Sequence, residues 1–234
     1  MAKRSVQFDT DEMYRQLRTN IEFSNLDKEI KLVNFMSTLP NEGKSTMALN
    51  LARVSADQFD RVLLIDCDLR NSSLHRLLKI SKGKGLSNVL ANFSETDSIL
   101  ECEDLQVIET KTGKQYYFLS AGDRVPNPLE MISSKKFFSF LQKAKEEFDF
   151  IVIDSPPASL CSDGIPLCRA VDGTLYVVSG KDTDKRSAKS HMKELSRNGA
   201  NIIGLCLTKI EAYTNKTYNY GYGYGYGKNT QGED

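Results

Sequence analysis

One loop constrains the fold of this chain more than any other feature. The apolar segment KLVNFMS at residues 31–37 leads into TLPNEGK, and a segment with helical periodicity then begins at Ser45. Gly43 and Lys44, with the serine that follows, match the end of the pattern G-x-x-x-x-G-K-S/T, although Thr38 stands at the first glycine position. Backbone N–H groups of such a turn and the N-terminus of the following helix bind phosphate. We therefore predict a strand, a phosphate-binding loop and a helix, as in P-loop NTPase folds.

Apolar and helical segments alternate along the rest of the chain. Further strands are predicted at 61–66, 149–154, 173–179 and 201–208. They are nearly continuous apolar runs, which is typical of strands covered on both faces and hence of a parallel sheet. Helices are predicted at 11–24, 45–56, 73–80, 85–92, 133–148 and 185–199. A hairpin is predicted at 105–120. The chain is therefore expected to have an α/β fold, with helices flanking a mostly parallel central sheet.

The composition argues against several classes of protein. Basic and acidic residues number 31 each, so no net charge favours nucleic acid or an acidic membrane surface. No apolar run is long enough to cross a membrane, and the N-terminus has no apolar segment of a secretory signal. We therefore expect a cytoplasmic protein. The cysteines are scattered without a C-x-x-C pair and are expected to be reduced thiols: Cys67, Cys102, Cys161, Cys168 and Cys206.

Three carboxylates follow or end predicted strands. Asp66 and Asp68 lie in LLIDCDLR, at the end of the strand at 61–66, and Asp154 ends the strand at 149–154 in FIVIDSPP. The carboxyl ends of parallel strands meet at one edge of a sheet, where open α/β sheets bind ligands. Carboxylates there can support magnesium or accept a proton. Together with the phosphate loop, they predict a site for a nucleotide and magnesium.

The phosphate loop supplies most of the expected nucleotide contacts. Lys44 is expected to reach the β- and γ-phosphates, and Ser45 to place its hydroxyl on Mg²⁺. The residues expected to bind the nucleotide here are Pro40, Asn41, Glu42, Gly43, Lys44, Ser45 and Thr46.

The end of the chain has a different composition. Beyond Lys209 hydrophobic residues other than tyrosine nearly vanish, and residues 213–234 are expected to form a flexible, disordered tail. Five tyrosines alternate there with glycine or asparagine: Tyr218, Tyr220, Tyr222, Tyr224 and Tyr226.

These motifs together resemble those of the bacterial tyrosine kinases. The resemblance covers LPNEGKST, LLIDCDLR and FIVIDSPP, and also EMYRQLRTNI near the front, LSAGDRVPNPLEMISS in the middle and the tyrosine cluster. The chain is most similar to the cytoplasmic kinase subunit of capsule and exopolysaccharide systems in Gram-positive bacteria. The resemblance implies a P-loop fold unrelated to eukaryotic protein kinases, and transfer of the γ-phosphate of ATP to tyrosine.

The resemblance also implies roles for the three carboxylates. Asp68 and Asp154 would support the metal together with Ser45, and Asp66 would be the base for the tyrosine hydroxyl. That hydroxyl has a pKa near 10, so a carboxylate must lie within reach as its proton leaves. For Arg70, a substrate contact and an ion pair with a nearby carboxylate both stay open.

Two further motifs are implied by the resemblance. In the family an Asn-Lys pair ends the last strand, and its Asn helps to recognise adenine; Thr208 stands at that position here. The front helix carries the family pattern E-x-x-R-x-x-R as Glu12, Arg15 and Arg18, whose spacing of three places them on one helical face. This pattern implies contact with a neighbouring subunit in a ring.

The expected organisation has three parts: an oligomerisation helix at 1–28, a P-loop kinase domain at 29–212 and an autophosphorylation tail at 213–234. The tail tyrosines are the expected phosphoacceptors, in a neighbouring subunit of the oligomer. The family implies a transmembrane activator, or polysaccharide co-polymerase, that recruits the chain to the inner face of the membrane. A cognate phosphotyrosine phosphatase and polysaccharide-synthesis enzymes as substrates are also implied, and no nucleic acid.

Two other functions are compatible with parts of the sequence. Partition and division ATPases share the P-loop but carry an extra lysine where this chain has Leu39, and the membrane-targeting helix of the division members is missing. Tyr-Gly tails also occur in proteins that stack on RNA. This tail has few cations, Lys216 and Lys228, and ends in Glu233 and Asp234, so its electrostatic attraction to RNA would be weak. A tail without a role is a third possibility.

Overall fold

One sheet organises the molecule in the computed structural model, which describes residues 9–25, 27–159 and 164–210. The strands in this part of the chain are β1 (Leu32–Ser37), β2 (Val62–Asp66), β3 (Gln106–Glu109), β4 (Gln115–Leu119), β5 (Phe150–Asp154), β6 (Gly173–Ser179) and β7 (Ile202–Thr208). Their order in the sheet is β3-β4-β2-β5-β1-β6-β7. β3 pairs with β4 in antiparallel fashion and every other pair is parallel. The predicted α/β fold with a mostly parallel sheet is confirmed.

Helices cover both faces of this sheet. They are α1 (Thr10–Glu22), α2 (Lys44–Ser55), α3 (Leu74–Leu78), α4 (Leu86–Asn92), α5 (Pro128–Ile132), α6 (Lys135–Glu147), α7 (Gly164–Ala170) and α8 (Lys185–Arg197). α1, α2 and α3 pack on one face, where Ile21, Leu51 and Leu74 are buried. The other five pack on the opposite face, through residues such as Phe140 and Leu195.

The predicted strands, hairpin and helices are confirmed, and two short helices were not predicted. The hairpin turns through Gly113, whose φ of 77° lies in the left-handed region that glycine adopts without strain. The missed helices are α5 and α7. α5 begins at Pro128 within a segment rich in turn residues, and α7 follows directly on residues 160–163, outside the described part. Both are too short for a helical period to stand out in the sequence.

The prediction that all strands are covered on both faces is wrong for β7. Leu205 and Leu207 are 60% and 62% exposed. They lie on the face of the sheet that carries α8, but α8 packs against β6, where Tyr176 is fully buried. Among the described strands, β7 is the last at its edge of the sheet, and its buried side chain Cys206 lies on the opposite face, with the side chains that α1 and α2 bury. The continuous apolar run therefore predicts the strand correctly here, but it does not show that both faces of the strand are covered.

Several predictions concern residues outside the described ranges. The tail at 213–234, with its five tyrosines, lies there, as does Cys161. The remaining cysteines are free thiols: Cys67, Cys102, Cys168 and Cys206. None of the described helices is long and apolar enough to cross a membrane.

Candidate active site

The phosphate loop joins β1 to α2 in a conformation that depends on glycine. Gly43 precedes α2 with a φ of 96°, and no side chain caps the helix. A Cβ at this position would lie 3.1 Å from the Thr208 side chain. The first turn of α2 therefore presents its N–H groups and the positive end of the helix dipole to the cleft, an arrangement that suits an anion.

Two charged side chains meet below this loop. Lys44 forms a buried ion pair with Asp154, donating from Nζ to Oδ1. The second carboxylate oxygen, Oδ2, is buried and has no hydrogen-bond partner among the described residues. Burial raises the pKa of Asp154, although the charge and hydrogen bond of Lys44, and the nearby hydroxyl of Ser45, act to lower it. The site thus holds an unsatisfied anionic oxygen beside the serine hydroxyl, as a divalent cation would require.

The other two carboxylates differ in their access to solvent. Asp66 is fully buried and lies beside Asp154 in the register of β2 and β5. Its Oδ1 accepts a hydrogen bond from the N–H of Asp68 at 3.1 Å. Burial, followed by the charge of Asp154, raises the pKa of Asp66 to about 7. Asp68 is 8% exposed and lines the cleft. The three predicted carboxylates therefore meet at one edge, where Asp68 lines the cleft and Asp66 is buried.

A cleft of about 430 Å³ lies above these groups. The predicted residues that line it are Pro40, Asn41, Gly43, Lys44, Ser45, Thr46 and Asp68. Arg70 also lines the cleft, together with Arg76 of α3 and the Pro156–Pro157 pair after β5. This edge of the sheet thus offers the phosphate loop, a carboxylate and cationic side chains to a single ligand.

Glu42 and Thr208 do not line the cleft but hold the phosphate loop from behind. The Glu42 side chain is 1% exposed and accepts hydrogen bonds from the N–H of Leu39, at 2.7 Å, and from the hydroxyl of Thr183. The Thr208 hydroxyl donates to the backbone carbonyl of Glu42. Lys209, which was not predicted, lines the cleft instead and pairs with Asp182 at 2.7 Å. The structure therefore places both predicted nucleotide contacts in a supporting position.

A serine-rich segment after β2 also belongs to the site and was missed. Ser72 donates to Oδ2 of Asp66 at 2.8 Å, and its oxygen lies 3.2 Å from Nδ1 of His75. Because the single hydroxyl proton is given to Asp66, His75 is the donor in the second contact. Ser73 donates to the hydroxyl of Ser45 at 3.0 Å. The only sequence signal was the run NSSLH directly after LLIDCDLR.

The predicted interface residues on α1 are not equivalent. Glu12 is exposed and pairs with Arg15 at 3.2 Å on the outer surface of the helix. Arg18 turns inward, where it donates to the backbone carbonyl of Val54 at 2.8 Å and pairs with Glu22 at 3.6 Å. Only the first two therefore lie on the outer surface, while Arg18 connects α1 to α2.

Comparisons with known proteins agree with this geometry. A family model described as an AAA domain matches residues 31–168. Tyrosine-protein kinase YwqD of Bacillus subtilis is 35% identical over 193 residues, which cover 82% of this chain and 78% of the relative. The chain belongs to the bacterial tyrosine kinases. It is a protein-tyrosine kinase, as the resemblance in its sequence predicted.

Structural likeness extends over nearly all of this kinase. The kinase domain of Escherichia coli tyrosine kinase ETK superposes with a TM-score of 0.77 at 28% identity, covering 91% of this chain and 80% of that domain. The septum site-determining protein MinD of Pyrococcus horikoshii, complexed with Mg-ADP, has a TM-score of 0.58 at 19% identity, covering 76% and 69%. The second likeness is one of fold alone.

Proposed function

We propose that this kinase transfers the γ-phosphate of ATP, bound with magnesium, to tyrosines in the tail of a neighbouring copy. The observation that carries the proposal is the buried pair of Lys44 and Asp154 at the base of the cleft, with one carboxylate oxygen unsatisfied. This arrangement suits a phosphate and a cation at the same time. An ATPase would share it, and the identity with tyrosine kinases favours transfer to tyrosine.

The residues present fit magnesium. Ser45 and Asp68 line the cleft, and Oδ2 of Asp154 is buried in the carboxylate that pairs with Lys44, itself a residue of the cleft. No cluster of three or more metal-binding side chains occurs in the described ranges. Magnesium needs none, because it is usually held by one or two carboxylates, the phosphates and water. When bound, it would neutralise charge on the transferring phosphate.

Lys44 changes partners in this proposal. In the structure its charge is satisfied by Asp154. A bound phosphate offers the lysine a second anionic partner, which leaves Asp154 for the cation and its water shell. The first turn of α2 then binds the phosphate oxygens through its backbone N–H groups. Phosphoryl transfer depends mainly on such positioning and charge neutralisation.

Asp66 is our candidate for the base that accepts the tyrosine proton. A pKa of about 7 matches the working range of a general base. The contacts from Ser72 and from the N–H of Asp68 fix its orientation. Asp68 lines the cleft and is therefore the second candidate. Replacing each by asparagine and measuring the phosphorylation rate against pH distinguishes them. Only loss of the base removes the fall in rate at acidic pH, which reflects protonation of the base.

The described part of the chain ends, at Ile210, on the side of the sheet that carries the cleft. β7 runs parallel to β6 and ends at Thr208, next to the phosphate loop. We place the acceptors at Tyr218, Tyr220, Tyr222, Tyr224 and Tyr226. We assign subunit contact in a ring to Glu12 and Arg15. We further propose a transmembrane activator that recruits the kinase to the membrane, a cognate phosphatase, and control of capsule or exopolysaccharide synthesis.

The decisive experiment is incubation with ATP and magnesium, with and without the activator, followed by detection of phosphotyrosine. Lys44→Met should lower the signal by about 10²–10³-fold or more, because the phosphate loses its charged partner. Lys181→Met, at an exposed position, is the matched control. Phosphate release without phosphotyrosine under every condition would instead indicate an ATPase.

Transfer between copies needs a mixed assay. One chain carries Lys44→Met and an intact tail, and the other carries an active site and five Tyr→Phe substitutions in the tail. Phosphotyrosine on the Lys44→Met chain is expected. Its absence from the mixture, with normal signal from the unmodified chain, would mean that each tail enters its own active site.

A further inference from the structure

The two outermost strands of the sheet, β3 and β7, differ in how well their unpaired backbone groups are protected from another strand. β3 has four residues and forms one edge as part of a hairpin, whereas β7 has seven and pairs with β6 on one side only among the described residues. The sequence of β7, IIGLCLT, contains neither a charge nor a proline. Proteins usually protect edge strands with such residues, because the unpaired N–H and C=O groups otherwise recruit another strand. The edge of β7 therefore lacks this usual protection against a partner strand.

An apolar strip accompanies this open edge. Leu205, Leu207 and Ile210 are each about three-fifths exposed, at 60%, 62% and 61%. The leucines lie beside Tyr176 and Val178 of β6 in the sheet register. We call these three residues, with the unpaired edge of β7, the β7 strip. Apolar side chains grouped on a sheet edge are typical of a surface that binds something.

We propose that the β7 strip is the resting site of the chain's own tail, with Tyr218–Tyr226 docked along it. The chain continues past Ile210 directly beside the strip, so the tail is held near it at high effective concentration. Residues 211–217 span up to about 23 Å when extended, which is enough for the chain to turn back along β7.

The sequence of the tail suits this site. Tyrosine occupies every second position from 218 to 226. In an extended strand all five rings therefore project from one face. Placed against β7, that face covers the exposed leucines, while the tail backbone satisfies the open edge. The residues between the tyrosines are Asn219, Gly221, Gly223 and Gly225, so the opposite face carries almost no side chains that need burial.

Docking of this kind is weak enough to reverse. Glycine loses more conformational freedom than other residues when it is ordered in a strand. The tail therefore exchanges between the strip and the cleft, and the same tyrosines serve both. Each phosphate adds about −1.5 to −2 charges and must stay hydrated, so phosphorylated tyrosines leave the strip. This last step rests on the proposed kinase function, whereas docking of the unmodified tail does not.

Hydrogen exchange of the β7 amides tests docking in the full chain, after phosphatase treatment and without ATP. Replacing the five tail tyrosines by serine should speed exchange within residues 202–208 by about tenfold or more, because a covered edge becomes open. Replacing them by phenylalanine, which keeps the rings, should leave exchange slow. Equal rates in the unmodified chain and the serine variant would overturn the proposal. If the β7 amides stay protected in the serine variant, and this protection increases with protein concentration, the β7 strip binds a second copy of the chain and not the tail.

Variants of the strip provide a second test. Leu205→Glu with Leu207→Glu should expose the tail, so trypsin should cleave after Lys216 and Lys228 several times faster. Val107→Glu is the matched control, since Val107 is 53% exposed on the opposite edge strand. Unchanged cleavage in the double variant would overturn docking. Neither assay measures phosphorylation, so failure of the kinase proposal and failure of docking give different results.

Discussion

β5 and β7 are built from similar residues but lie in opposite surroundings. β5 lies between β1 and β2, and all five of its residues are buried. β7 lies at the edge, and its alternate leucines face solvent. The first strand therefore contributes to the core and ends at Asp154, a carboxylate of the candidate site. The second contributes a surface and leads into the tail. An apolar run makes a strand in both cases, and the position in the sheet decides its use.

The same contrast holds for the charged groups. At the centre, Lys44 and Asp154 form a buried ion pair. At the periphery, Lys209 and Asp182 form an ion pair whose side chains are 43% and 40% exposed. A buried pair is costly to break, because the remaining partner is left charged in a poor dielectric environment. When one partner of an exposed pair is removed, water solvates the remaining charge at little cost. Substitutions at the centre and the edge should therefore differ strongly in effect.

The largest difference is expected for Asp154→Asn. It leaves the Lys44 charge buried without an anionic partner, which should lower the free energy of unfolding by about 3–5 kcal/mol. Phosphorylation should also fall by at least about 10²-fold. Asp182→Asn is the control and should leave the unfolding free energy unchanged within error. Chemical denaturation measures both. Similar losses of unfolding free energy in the two variants would show that burial of the Lys44–Asp154 pair does not make it more costly to break than an exposed pair.

The next largest difference is expected between two apolar side chains. Ile151→Ala in β5 leaves a cavity in a fully buried position and should lower the free energy of unfolding by about 2–5 kcal/mol. Leu207→Ala in β7 removes a side chain that is mostly exposed, so the change should stay within about 0.5 kcal/mol. Urea denaturation of both variants tests the contrast. A large loss for Leu207→Ala would mean that the β7 strip is part of the folded core.

A smaller, pH-dependent effect is expected at Asp66. Its pKa is raised from 3.8 to about 7 on folding, so the folded chain binds a proton more tightly than the unfolded chain does. This contribution to stability is fully present below pH 4 and is lost as the pH rises to about 7. Without nucleotide and magnesium, the stability of Asp66→Asn should therefore increase relative to that of the unmodified chain as the pH rises from 4 to 8.

Thermal unfolding across this pH range measures the Asp66 effect. Asp60→Asn, on an exposed loop, is the control and should show no such trend. A constant difference between the Asp66 variant and the unmodified chain at every pH would contradict the raised pKa. The same variant should lose phosphorylation, since a stabilising substitution at this position removes the candidate base.

Local pattern was sufficient for the strands, the phosphate loop and most helices, but not for the short helices α5 and α7 or for the site's supporting contacts. Apolar runs predicted the strands, and Gly43-Lys44-Ser45 predicted the loop. The role of Glu42 depends on Thr183, which is 141 positions away in the chain, and no spacing rule anticipates that contact. The role of Ser72 depends on how the segment after β2 folds back on Asp66. The exposure of β7 depends on strand order, which apolar runs do not encode.

The smallest effect is expected at Thr208, where the end of β7 contacts the phosphate loop. The Thr208 hydroxyl donates to the carbonyl of Glu42, and its side chain packs beside Gly43. Thr208→Val keeps the shape and removes the hydroxyl, which should lower the free energy of unfolding by about 1 kcal/mol. The loop should also bind ATP more weakly, with a rise in KM of about threefold to tenfold and little change in kcat, because the loop geometry is less fixed.

Thr96→Val, in an exposed loop, is the matched control for steady-state kinetics and denaturation. A changed kcat with an unchanged KM would contradict a role in holding the phosphate loop and would place Thr208 closer to the reacting groups. An unchanged KM and kcat would confine the effect of this hydrogen bond to stability. A rise in KM alone, as expected, would show that Thr208 at the end of β7 supports nucleotide binding. Docking of the tail on the β7 strip could then affect the nucleotide site through this residue.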